Sequence, residues 1–170
     1  MNIHPIFVHF PIAFLTFYAL AELIRFRRLN DTATWLYLKF SFLLIGVAGL
    51  FVALQTGDIA KQFHRDVRQL VSLHETYAQI TTIIFALLLC NYILIIGDSY
   101  AKKLLPTFLY KLWNVVNKIR RVIFSTPVVI ILALVGLVTL TIAGALGGII
   151  VYGSGLDPVT TFVGKLLLGH

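Results

Sequence analysis

Apolar residues in this chain are gathered into four long runs, with short polar stretches between them. The runs are residues 5–24, 35–54, 77–97 and 125–152. Each is about long enough to cross a hydrocarbon core of about 30 Å at 1.5 Å rise per residue. Lipid cannot satisfy free backbone N–H and C=O groups, so the pattern predicts helices. The expected fold is all-α: one integral-membrane four-helix bundle occupying residues 1–170.

Two stretches outside the runs carry a helical pattern. In the third connection, Leu105, Phe108, Leu109, Leu112, Val116 and Ile119 recur at helical spacing. Lys103, Lys111, Lys118 and Arg121 lie largely away from them. This predicts an amphipathic helix over about 104–121, lying on the membrane surface. In the second connection, Ile59, Phe63, Val67, Leu70 and His74 share a stripe. That segment extends the third run outward or forms a lid over the bundle. Gly153-Ser154-Gly155-Leu156-Asp157-Pro158 breaks the fourth helix. The apolar tail after it, Val159 to Leu168, is too short to span; it is an interfacial helix or a docking surface for a partner subunit.

Composition agrees with a membrane chain. Of 170 residues, 59% are hydrophobic and 12% charged, against roughly 45–50% and 25% in soluble domains. The net charge is +7, which in a soluble domain would suggest nucleic acid. Here the basic residues are explained by the membrane, and no nucleic-acid partner is expected. The connection at 25–34 carries a net +2, that at 98–121 a net +5, and that at 55–76 none. The positive-inside rule therefore puts the first and third connections in the cytoplasm, and both termini outside. A single cysteine, Cys90, excludes an internal disulfide or a cysteine-based zinc site.

Chemistry then rests on the histidines. His4, His9, His64, His74 and His170 all fall on the outer side of this topology. His9 lies about one turn inside the first run and His74 about one turn before the third. The two therefore sit at similar depth, on helices that can be neighbours. Imidazole beside an apolar span is costly unless partnered, and is a functional hypothesis by default. Imidazole suits zinc, copper and iron, haem iron included. A haem b between helices needs two axial histidines and a large apolar slot; Phe7, Phe10, Phe14, Phe17 and Tyr77 lie near that level. His9 and His74 are the expected axial pair. His4 and His64 are the further cofactor-binding candidates, for a second haem. His4, His9 and His74 with Glu75 are the zinc alternative. His4 and His9, five residues apart, point about 140° apart in one helix. Pro11 either kinks the first helix or begins it. Glu22, near the inner end of the first run, is expected at the interface, paired with Arg25 or Lys39.

The stretch His4-Pro5-Ile6-Phe7-Val8-His9-Phe10-Pro11-Ile12 resembles the HP-x-x-VHFP-I opening of a bacterial membrane-protein family, domain of unknown function 2231. Gly46 to Gly57, Leu73-His74-Glu75 and Gly147-Gly148-Ile149-Ile150-Val151-Tyr152 continue the likeness. The resemblance implies a four-helix protein of the bacterial inner membrane and makes His4, His9 and His74 the family positions. Members often carry an acidic residue after the glycines and a histidine after the aromatic; Ile149 and Gly153-Ser154 stand there instead, so a ligand at that histidine would be lost here.

The resulting expectation is a b-type cytochrome-like electron-transfer subunit, a carrier more than an enzyme by itself. It would hold a bis-histidine haem b near the extracytoplasmic face. Its partners would be a redox protein or larger membrane complex, with quinol as a donor. The alternatives are a scaffold subunit of such a complex or a metal-binding membrane protein.

Overall fold

A computed structural model describes residues 4–60, 67–153 and 157–168, without the side chains of residues 4–6, 27, 60, 102 and 168. His64 and His170 lie outside the described residues, and of His4 only the backbone is described. Among the described residues seven helices run in order: α1 (His4–Leu23), α2 (Arg27–Asn30), α3 (Ala33–Ala60), α4 (Arg68–Leu104), α5 (Thr107–Ile123), α6 (Thr126–Tyr152) and α7 (Pro158–Leu168). No strand occurs among the described residues. The chain is an all-α membrane protein. Among the described residues three stretches are long and apolar enough to cross a membrane: Ala33–Ile59, Arg68–Ala101 and Thr126–Tyr152. The apolar stretch of α1, Phe7–Leu23, is shorter. The whole of α1, at 20 residues, is a rod of about 30 Å.

The helices form a ring in the order α1, α3, α4, α6. The closest pairs are α1 with α3 and α4 with α6; α1 with α6 and α3 with α4 close the ring. Helices α1 and α4 are thus opposed across the bundle axis, meeting only through long side chains. The sequence expectation of neighbouring helices for His9 and His74 is replaced by this opposed placement.

Small residues explain the tight pairs. Leu15 and Pro11 of α1 sit on Gly46 and Gly49 of α3, two glycines three residues apart on one face. A Cβ at Gly46 would stand 2.4 Å from Leu15 Cδ2, and one at Gly49 would stand 3.0 Å from Pro11 Cδ. The close approach gives dispersion contact where lipid offers no hydrophobic drive. Pro11 lies inside α1 and is fully buried. Of the two readings of Pro11, the helix starting upstream is the one observed. With the backbone helical from His4, positions 4 and 9 stand about 140° apart around the axis. On the far side of the ring, Phe85 of α4 fills the space over Gly136 of α6, 2.9 Å from a Cβ placed there.

The interior is layered. Leu15, Tyr18, Leu43, Phe85 and Leu88 are fully buried and form one cluster at mid-height. One end of the bundle carries His9 and His74; the other carries α2 and α5 and is basic. At the histidine end, α4 already begins at Arg68, two turns before the apolar run starts. The second connection therefore extends the third span outward over its last residues. Gly153, with φ +86°, ends α6 in a conformation that an L side chain rarely adopts. Beyond it α7 packs on α6, where Val163 joins Ala145 and Leu146. Asp157 caps α7: its Oδ1 accepts from the backbone N–H of Val159 (2.8 Å) and of Thr160 (3.0 Å). These bonds hold the Asp157 carboxyl below its ordinary range.

Candidate functional site at the histidine end

A cavity of about 450 Å³ opens at the histidine end, inside the roughly 300–1,000 Å³ range of small-molecule sites. It reaches down from His9, Asp58 and His74 to Thr81 and Leu140. That is about two helical turns on α4, or about 10 Å. Helices α1, α3, α4 and α6 all line it. The walls are mostly apolar; the polar groups are His9, Asp58, His74, Glu75, Gln79, Thr81 and Tyr152.

His74 is the best-defined of these. Its Nδ1 lies 2.8 Å from the Ala143 carbonyl oxygen on α6. A carbonyl only accepts, so Nδ1 carries the proton and donates it. In the neutral ring, Nε2 then holds the lone pair. This is the arrangement that fixes a ligating histidine through its second nitrogen. Gly147 makes room for the ring: a Cβ there would come within 3.2 Å of His74 Cε1. Gly144 faces Ile12 of α1 and Gly148 faces Thr160 of α7. Each glycine of this stretch thus receives a different neighbour. His9 lines the same cavity from α1 but is exposed, so it stands at the rim.

The sequence expectation placed His9 and His74 at one depth, and both do line one cavity. With interaxial distances of about 8–10 Å along the sides of a bundle, opposed helices lie roughly 11–14 Å apart. His4 and His64 cannot be placed against this cavity, one described only in its backbone and the other outside the described residues. Among the described residues, no group of three or more His, Cys, Asp or Glu side chains could hold a metal ion. The zinc set of His4, His9, His74 and Glu75 rests in part on His4, whose side chain is not described.

A second polar centre lies at the basic end. Glu22 is buried and accepts from Arg25 Nη2 (3.0 Å), Lys39 Nζ (3.1 Å) and Tyr92 Oη (2.6 Å). Lys39 is buried too and sits 5.6 Å from the centre of the Tyr92 ring. The sequence reading paired Glu22 with Arg25 or Lys39. The structure pairs it with both, and in the interior rather than at the interface. Tyr92 was not read as a partner, because a tyrosine in an apolar run looks like core.

A polar lock joins α5 to α4 beside this centre. Asp98 Oδ1 accepts from Trp113 Nε1 (3.0 Å) and Asn117 Nδ2 (3.2 Å). Asn117 Oδ1 accepts from Arg120 Nε (2.9 Å), and Arg120 Nη1 donates to Asn91 Oδ1 (3.3 Å). Partial burial, with Arg121 alongside, lowers the Arg120 pKa against the opposing pull of Asp98. Arginine stays charged all the same.

No curated protein and no solved structure matches the chain. A family model described as "Predicted membrane protein (DUF2231)" matches residues 1–159, nearly the whole sequence. The residues of that stretch include His9, Pro11, His74 and the Gly147-Gly148 pair that line the cavity, and the chain belongs to this family of membrane proteins.

Proposed function

We propose that the protein is an electron-transfer subunit of the bacterial inner membrane, with a haem b in the cavity and His9 and His74 as its axial ligands. The observation that carries this reading is the meeting of two histidines, from opposed helices, on one cavity with apolar walls. The residues fit the group in kind: two imidazoles, one already tied through Nδ1 to a carbonyl, and a space of suitable size. When bound, haem supplies a one-electron couple in a low-dielectric slot. His74 would bind through Nε2 and be held at its angle by Ala143. His9, at the rim, would close the site from α1. Pro11, seated on Gly49, fixes the turn that bears it. Two axial imidazoles suit electron transfer rather than oxygen chemistry. The basic end is then cytoplasmic and both termini extracytoplasmic, with quinol or a redox protein of a larger complex as partner.

Asp58 and Glu75 favour a second reading. Two carboxylates in the lining do not suit the propionates of a haem, but they suit a hydroxyl-bearing ring that gives up protons. In that case the same cavity holds a quinol head, with His74 and Glu75 as its hydrogen-bond partners. A reduced-minus-oxidised spectrum of the purified protein tests both. A haem b spectrum lost in His9→Ala and in His74→Ala, while both variants still insert, supports the first reading. Wild-type protein that is haem-free but retains quinol on extraction supports the second. Full haem in the double variant sinks the axial assignment.

A further inference from the structure

Helix α5 has three faces, and two of them have no counterpart among the described residues. At 100° per residue, Trp113, Asn117 and Arg120 share the sector that meets α4. The ring of Trp113 lies against Gly97, where a Cβ would come within 3.0 Å of it. Together with the bonds to Asp98 and Asn91, this contact fixes the rotation of α5 about its own axis. The next sector holds Phe108, Leu112, Val115, Ile119 and Val122, all exposed at 52–75%. The remaining sector holds Lys111, Lys118 and Arg121, also exposed, with Thr107 and Asn114 between them. Lys111 and Lys118 border the apolar sector directly.

This order decides what can cover the helix. An apolar sector of this size is stable only against hydrocarbon or another apolar surface. A row of cations along its edge requires negative charge at the boundary where the apolar layer stops. A zwitterionic lipid surface satisfies the first demand and not the second. An anionic phospholipid satisfies both at once, its chains under Phe108 and Leu112 and its phosphate against Lys111, Lys118 and Arg121. We propose that α5 is a docking surface for anionic phospholipid, of the phosphatidylglycerol kind. The lock to α4 acts as the device that keeps the basic edge at headgroup level. This surface lies at the opposite end of the bundle from the histidine cavity and does not depend on what that cavity binds.

Trp113, on the neighbouring sector of the same helix, reports on the lipid that gathers beside α5. The full chain, carrying Trp35→Phe so that Trp113 is the only tryptophan, is reconstituted in phosphatidylcholine vesicles. Either a tenth of the phosphatidylcholine or the same amount of phosphatidylglycerol bears bromine on its chains. Brominated phosphatidylglycerol is expected to quench Trp113 about twofold or more beyond brominated phosphatidylcholine at low salt. The ratio should fall toward one in high salt, which screens the contact. The same loss is expected in K111Q/K118Q/R121Q, while quenching by brominated phosphatidylcholine persists and shows that α5 still lies on the membrane. A ratio of one in the parent at low salt overturns the proposal. A ratio unchanged in the triple variant overturns it as well, by showing that these cations do not select the lipid.

Discussion

At the basic end, Glu22 has three donors within 3.1 Å from three different helices or turns, and the space around it is filled. At the histidine end, a cavity of about 450 Å³ stays open beside His74, whose Nδ1 donates to the Ala143 carbonyl of α6. The same bundle thus puts its ionic groups to two uses. Charges that must leave water are stable only when each lone pair and proton is met. At the basic end the Glu22 carboxylate is met by three donors and gains a fixed geometry. At the histidine end the four helices leave volume unfilled. The difference sets a packed, ion-paired interior at one end against an open cavity at the other.

The largest test of that division is Glu22→Ala. It strands Lys39 as a buried cation and should lower stability by about 3–5 kcal/mol, read as a drop in thermal unfolding temperature in detergent. Glu22→Leu combined with Lys39→Met removes both charges and should recover most of the loss. If the double variant is as unstable as the single one, the ion pair is not what holds this end. Next is Tyr92→Phe, which removes a hydrogen bond to a charged acceptor, worth about 1.5–3 kcal/mol. It should leave the histidine cavity and its ligand unchanged.

At the other end the order of effects reverses. His74→Ala should cost only about 1 kcal/mol of stability while abolishing binding in the cavity. Gly147→Ala should cost less still, since the ring need move only a few tenths of an ångström. It should nevertheless disturb the bond to Ala143, visible as a changed Nδ1 signal of His74 in nitrogen NMR. An unchanged signal would mean that Gly147 is not what seats the ring. The smallest effect is set by pH at Asp157. Its carboxyl is lowered in the folded state, so its contribution is present above the ordinary carboxylate value. It fades as pH falls below about 4 and through the lowered value. Amide exchange at Val159 and Thr160 should quicken over that window, and Asp157→Ala should exchange quickly at every pH.

Much of this architecture was legible in the residues, and the rest was hidden for identifiable reasons. The apolar runs are enough to indicate an all-helical membrane protein, because length and hydropathy are local properties. The stripe at 105–119 likewise pointed to the amphipathic α5, since its period is written in one segment. Which helix faces which is not local. His9 and His74 could be matched in depth by counting residues, but not set across the bundle axis from one another. The Gly46–Leu15 and Gly136–Phe85 contacts that establish the ring give no sign in either partner alone. The lock through Asp98, Trp113 and Asn117 was equally silent, because each residue reads as an ordinary polar or aromatic member of its own helix. Glu22 was half legible: its cationic partners are close in sequence or charge, whereas Tyr92 is 70 residues away.

The layer of Leu15, Tyr18, Leu43, Phe85 and Leu88 has a consequence for permeation. It lies between the cavity and the Glu22 centre, and each of these residues is fully buried. A bare ion driven through it would face a desolvation cost of order 20 kcal/mol in the idealised limit, and apart from the Tyr18 hydroxyl the side chains of the layer are apolar. The layer therefore works as an insulator. Proteoliposomes containing the protein should hold a proton gradient as long as empty ones do, and whatever enters the cavity must leave by the side on which it came.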